Sequence, residues 1–164
     1  MYTIREATVN DAETIRALAN EIWWPTYSSI LADDQINFML NDRYSTGVLA
    51  KQIQDKEQTY LLLIAEEQTV AFAAYSPDDK DPHIYKLHKL YMLPSTQGKG
   101  YGKILLNAVY EKVLAAGKNI LELNVHRRNP AKTFYEKMGF TIAYEIDIPF
   151  GPYFLNDYVM RKEL

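Results

Sequence analysis

The run Gln97-Gly98-Lys99-Gly100-Tyr101-Gly102-Lys103 carries the densest chemical signal in this 164-residue chain. Three alternating glycines let backbone amides converge on an anion, because a residue without Cβ enters left-handed conformations freely. The run lies between a predicted strand and an amphipathic helix bearing Ile104, Leu105, Ala108, Val109 and Val113, whose N-terminus adds a positive dipole end. A pyrophosphate cradle is the chemistry this allows; a plain glycine turn before a helix is the other reading. Two familiar phosphate loops fail on spacing. A Walker A loop needs four residues before its Gly-Lys pair and Ser or Thr after it, whereas three residues separate Gly98 from Gly102-Lys103 and Ile104 follows. A dinucleotide fingerprint needs its third glycine one place later, after the first strand of a βαβ unit.

The elements that must hold this turn follow from periodicity. A short extended piece, Tyr2–Ala7, precedes Asn10 and Glu13, spaced as a helix-capping pair, and Ile15, Leu18, Ala19 and Ile22 then recur at helical spacing. That helix is predicted to end near Trp23-Trp24-Pro25. Residues 32–40 and 45–54 carry two short helical patterns separated by an Asn41-Asp42 turn signal. Residues 59–65 and 69–75 read as a hairpin, followed by a polar loop. Next come a strand at 84–93, a helix at 103–116 stopped by Gly117, a strand at 119–126 and a helix at 130–138 stopped by Gly139. Strands near 142–148 and 157–162 close the chain. Strands mixed with helices on this scale predict an α/β (α+β) sheet with helices on its faces, in one domain spanning 1–164.

Composition narrows the functional classes. Apolar residues form 48% and charged residues 24% of the chain, which excludes disorder as the main state. No apolar run reaches the roughly 18 residues of a membrane span, and Met1–Glu6 lacks a signal peptide's apolar run, so a cytoplasmic location without membrane attachment is expected. With no cysteine, and with His83, His88 and His126 in no ligand spacing, no metal is expected. The net charge of −3 conceals a division: residues 1–82 hold 6 Lys+Arg against 14 Asp+Glu, and residues 83–164 hold 12 against 7. The basic half suits phosphates and the acidic half a cation, although solvated charges can also segregate without function. Negative net charge and the lack of a basic helix or aromatic platform argue against nucleic acid as a partner.

The residues Leu90-Tyr91-Met92-Leu93-Pro94, then Gln97, Gly100 and Gly102, then Asn129 and Phe134-Tyr135-Glu136-Lys137-Met138-Gly139-Phe140 resemble the GCN5-related N-acetyltransferases (GNAT). Trp23–Tyr27, Lys86–Tyr91 and Asn156–Met160 further resemble the bacterial PaiA-like polyamine acetyltransferases. The resemblance implies a GNAT fold: a mixed, twisted sheet of about six or seven strands flanked by helices, with two splayed central strands that receive acetyl-CoA. It implies direct acetyl transfer to a primary amine, most simply a polyamine or other small amine. Protein N-terminal or lysine acetylation and a non-enzymatic CoA-responsive regulator are the alternatives, and a homodimer is left open.

Carried onto this sequence, the resemblance gives Leu90's amide the thioester oxygen and Met92's backbone, beside Tyr91, the pantetheine arm. The segment Gln97, Gly98, Lys99, Gly100, Tyr101, Gly102 and Lys103 takes the pyrophosphate, and Asn129 binds the cofactor's amides. Tyr135 assists the departing thiolate; a phenol of pKa about 10 can donate its proton. Asn124 stands where some relatives have a glutamate base, which moves that role to Glu122 or His88; alternation puts Glu122, Asn124 and His126 on one strand face. Glu21, Trp24 and Tyr27, with Trp23, Tyr153 and Tyr158, are expected to wall the acceptor site, where aromatic faces and carboxylates suit a cationic amine.

Overall fold

The computed structural model describes residues Met1–Leu164. Strand β1 (Tyr2–Glu6) leads through a 3-10 turn into helices α1 (Ala12–Tyr27), α2 (Asp33–Arg43) and α3 (Thr46–Gln54). Strands β2 (Thr59–Ala65), β3 (Gln68–Pro77) and β4 (Ile84–Met92) follow, then α4 (Tyr101–Ala115), β5 (Ile120–His126), α5 (Ala131–Lys137), β6 (Thr141–Phe150) and β7 (Tyr153–Glu163). The seven strands make one mixed sheet in the order β1-β2-β3-β4-β5-β7-β6, parallel only where β4 meets β5. Consecutive residues Leu61, Leu62 and Leu63 are all buried, so helices cover both faces of the sheet centre. From α1, Ile15, Ala19 and Ile22 enter the core, and from α4, Leu105, Val109 and Val113.

Two predicted breaks lie inside helices. Helix α1 runs through Pro25 to Tyr27. Proline there removes one amide, but the turn is held by the Thr26 hydroxyl donating to the Ile22 carbonyl at 2.8 Å and the Ser28 amide donating to Trp24 at 3.0 Å. Asn41-Asp42 also remains helical, because burial of Ile36, Met39 and Leu40 carries α2 on to Arg43. The break falls at Tyr44-Ser45, where Ser45 Oγ caps α3 by accepting from the Val48 amide. Tyr101 and Gly102, expected in the loop, form the first turn of α4.

The sheet parts at its centre. Pairing of β4 with β5 covers Ile84–Leu87 against Ile120–Leu123 and stops. On the other side of β4, Ala74 faces Lys89 and Tyr75 faces Leu87, leaving His88 as an extra residue. Such a bulge adds local twist and bends the strand. His88–Met92 thereby diverge from β5, opening the splay that the family resemblance implies.

Candidate active site

A cavity of about 520 Å³ occupies the splay. Leu90, Tyr91 and Met92 line it from β4, Gln97 from the glycine turn, and Phe134 and Tyr135 from α5. The turn is conformationally committed: Gly98 has φ +85° and Gly100 φ +77°, and nothing lies within 4 Å of where a Cβ on either would sit. Two left-handed glycines facing open space, followed by a helix N-terminus, suit an anion such as a pyrophosphate. Gly102 has a different reason for being glycine. A Cβ there would stand 2.5 Å from Met92 Cε and 3.5 Å from the Phe134 ring, so it permits close packing of α4 on β4 and α5. Lys103 is exposed on α4, while Lys99 and Tyr101 line a separate depression.

A buried polar group of Tyr27, Tyr91 and Asn129 spans the cavity wall. The Tyr27 and Tyr91 hydroxyls share a 2.9 Å hydrogen bond, and Asn129 Nδ2 donates to the Tyr27 oxygen at 3.3 Å. Asn129 Oδ1 accepts from the Ala131 amide at 2.9 Å, so this side chain also starts α5. Burial pushes the Tyr27, Tyr91 and Tyr135 phenols above their usual range, which keeps all three protonated at neutral pH. Tyr135 meets Phe134 and Phe140 edge-on and is rigidly placed.

The charged lining is mostly cationic. Lys89 is buried; its ammonium donates to the Tyr60 hydroxyl and to Gln52 Oε1, and lies over the Tyr44 and Tyr60 rings. Burial, reinforced by Arg43, lowers its pKa to about 7. His88 hydrogen-bonds Ser76 Oγ at 2.7 Å, and desolvation in the cleft together with Lys89, Lys86 and Arg43 lowers its pKa to about 4. The cavity's one carboxylate, Asp157, is raised by burial and bonded by Asn124 Nδ2 at 3.4 Å.

Several expected wall residues lie elsewhere. Glu21 faces the depression that contains Lys99; six residues along a helix put it roughly 120° around α1 from Tyr27. Trp24 packs against the core, whereas Trp23, about 100° away around the helix and also expected on the wall, does line the cavity. Tyr153 packs on Phe38, and Tyr158 lies beneath Lys132. Glu122 is tied to Arg161 at 2.6 Å and Lys86 at 3.3 Å, which occupies it as an ion-pair partner and leaves it off the cavity wall. Arg43 and Lys89 join the lining without having been singled out in the sequence as wall residues. Lys89 is readable only from strand alternation beside Tyr91, and Arg43 only as the basic last residue of α2.

The fold and this parted sheet define an acyltransferase architecture. The chain belongs to the acetyltransferase (GNAT) family, whose model matches residues 16–140. It is thus an N-acetyltransferase, and enzymes of this fold use acetyl-CoA. It is 30% identical over 146 residues to the spermidine N(1)-acetyltransferase of Thermoplasma acidophilum, covering 85% of this chain and 88% of that protein. An uncharacterized N-acetyltransferase of Mycobacterium tuberculosis H37Rv is 28% identical over 158 residues, covering 95% and 99% of the two chains. The crystal structure of PaiA N-acetyltransferase from Thermoplasma acidophilum in complex with coenzyme A superposes with a TM-score of 0.86 at 25% identity, covering 100% of this chain and 99% of that one.

Proposed function

We propose that the protein transfers the acetyl group of acetyl-CoA directly to a small primary amine, through a single domain spanning 1–164. The observation that carries this reading is the end of β4–β5 pairing at Leu87 and Leu123, beside a cavity and a left-handed glycine turn. Acetyl-CoA supplies an activated thioester. Gly98, Gly100 and the start of α4 hold its pyrophosphate, with Gln97, Lys99, Tyr101, Gly102 and Lys103 completing the turn. The backbone of Tyr91 and Met92 takes the pantetheine arm, with Asn129 beside it.

Leu90's amide donates to the thioester oxygen as negative charge grows there; a fixed donor of this kind contributes about 3 kcal/mol to a barrier. Tyr135, protonated, gives its hydrogen to the departing sulfur. An alkylamine of pKa about 10.4 must reach the carbonyl neutral, so its proton has to leave. His88, neutral above about pH 4, His126, whose pKa burial also lowers, and Asp157 are wall groups able to receive it, directly or through water. The Thermoplasma relative and the aromatic wall of Trp23 and Tyr27 support a polyamine as the first acceptor to test. Incubation with acetyl-CoA and a panel of small amines and peptides, read by mass spectrometry, tests the reading. Acetylated small amines are expected; transfer to peptides alone would overturn it.

A further inference from the structure

The first half of the chain holds most of the acidic residues, yet its share of the cavity lining contains no carboxylate; the one charged residue it contributes is Arg43. Arg43 ends α2, and its guanidinium lies 4.6 Å from the centre of the Phe150 ring on the β6–β7 hairpin. It makes no hydrogen bond and enters none of the molecule's ion pairs. A guanidinium presents a planar fork of donors matched to a carboxylate, and the protein takes up none of them.

Lys89 is a second cation without a counter-ion. Its surroundings are a hydroxyl, an amide oxygen and two ring faces, and it is close enough to Arg43 for the two to repel. Lys86, also on the wall, differs in being neutralised by Glu122. Buried cations are ordinarily paired, since an unpaired charge loses its hydration without compensation. Next to Gln52, Gln58 lines the same cavity, and its Oε1 is buried without a donor. One end of the cavity therefore offers two basic side chains with no direct ion-pair partner, Arg43 feeling only the more distant Asp157 carboxylate, and an amide oxygen able to accept an N–H.

We infer that the acceptor is a small amino acid-like molecule, whose carboxylate seats on Arg43 and Lys89 while its primary amine reaches the acetyl group. This rests on the N-acetyltransferase reading and replaces the polycation suggested by relatives with an acceptor of opposite charge at its distal end. In the transfer the amine lone pair forms the C–N bond and the C–S bond breaks. The amine sheds one proton, the sulfur leaves as a thiol after taking one up, and the carboxylate is unchanged.

The test compares matched acceptors on the full chain with acetyl-CoA: 4-aminobutanoate against butylamine, methionine against methioninamide, and spermidine. CoA thiol release gives rates, and mass spectrometry identifies products. Hydrogen bonds to charged groups predict a 10- to 100-fold advantage in kcat/KM for the carboxylated member of each pair. Arg43→Gln, at a half-buried position, should raise the KM of the carboxylated acceptor and collapse the advantage to within about threefold, with the KM for acetyl-CoA unchanged; Lys89→Met should act in the same direction. Equal rates within pairs, or an advantage that Arg43→Gln leaves intact, would overturn the inference. Turnover of spermidine alone would overturn it while leaving amine acetylation standing. Acetylation of no amine despite bound acetyl-CoA would remove both.

Discussion

The donor and acceptor sides of the cavity are assembled in different ways. On the donor side, Leu90–Met92, the glycine turn and the first turn of α4 follow one another along a short stretch of chain, and α5 adds Phe134 and Tyr135. On the acceptor side, beside α1, α2 meets the β6–β7 hairpin, which arrives from the far end of the chain: Phe38 packs edge-on against Phe150 and Tyr153, and Gln35 donates to the Phe154 carbonyl. The donor side works through backbone geometry that a glycine pattern encodes locally. The acceptor side works through side-chain charge, which only tertiary packing brings together.

Breaking the donor side should give the largest effects. Tyr135→Phe is expected to lower kcat about 100-fold, the usual scale for one general acid, with coenzyme A affinity by calorimetry unchanged. Unaltered turnover would take Tyr135 out of the chemistry. Gly100→Ala places a Cβ at φ +77°, which costs about 1–2 kcal/mol, so the KM for acetyl-CoA should rise about tenfold. Gly151→Ala is the acceptor-side counterpart: its Cβ would run into the Phe38 ring, and φ is +59°. A rise of a few-fold in acceptor KM is expected, with donor KM constant and a lower Tm.

Titration sharpens the same contrast. Lys89 has a folded pKa of about 7 against about 10.4 when unfolded, so between those values the unfolded chain binds more protons. Stability should therefore rise with pH from about 7 to 10, by up to a few kcal/mol, and level off on either side of that window. Subtracting the Tm profile of Lys89→Met isolates this contribution; parallel profiles would show that Lys89 keeps an ordinary pKa. The smallest effect belongs to Glu21→Gln, which should leave acceptor KM unchanged because its side chain faces the other depression.

What was legible in the sequence follows from this division. Periodicity located every strand and helix, and the Gly98–Gly102 run with Phe134-Tyr135 marked the donor side, because both signals are local. The acidic first half suggested a cation-binding wall, and that was misleading: its carboxylates lie off the cavity, and the lining it supplies brings Arg43. Which face of α1 looks inward depends on where the helix docks. That separates Trp23 from Trp24, and neither hydrophobicity nor charge distinguishes two adjacent tryptophans. Proline and Asn-Asp signals likewise yielded to the burial of Tyr27, Met39 and Leu40.

The four residue pairs joining β4 to β5 are the sheet's only stitch between two antiparallel ribbons, β1–β4 and β5–β7–β6. Amides along Ile84–Leu87 and Ile120–Leu123 should exchange with deuterium faster than those in the interior of β3, since opening there breaks few bonds. A donor lying along His88–Met92 would lengthen the seam, so acetyl-CoA is expected to slow exchange across both ribbons together. Continuity of the sheet would then depend on the ligand, and the free and loaded enzymes would differ in stiffness more than in shape.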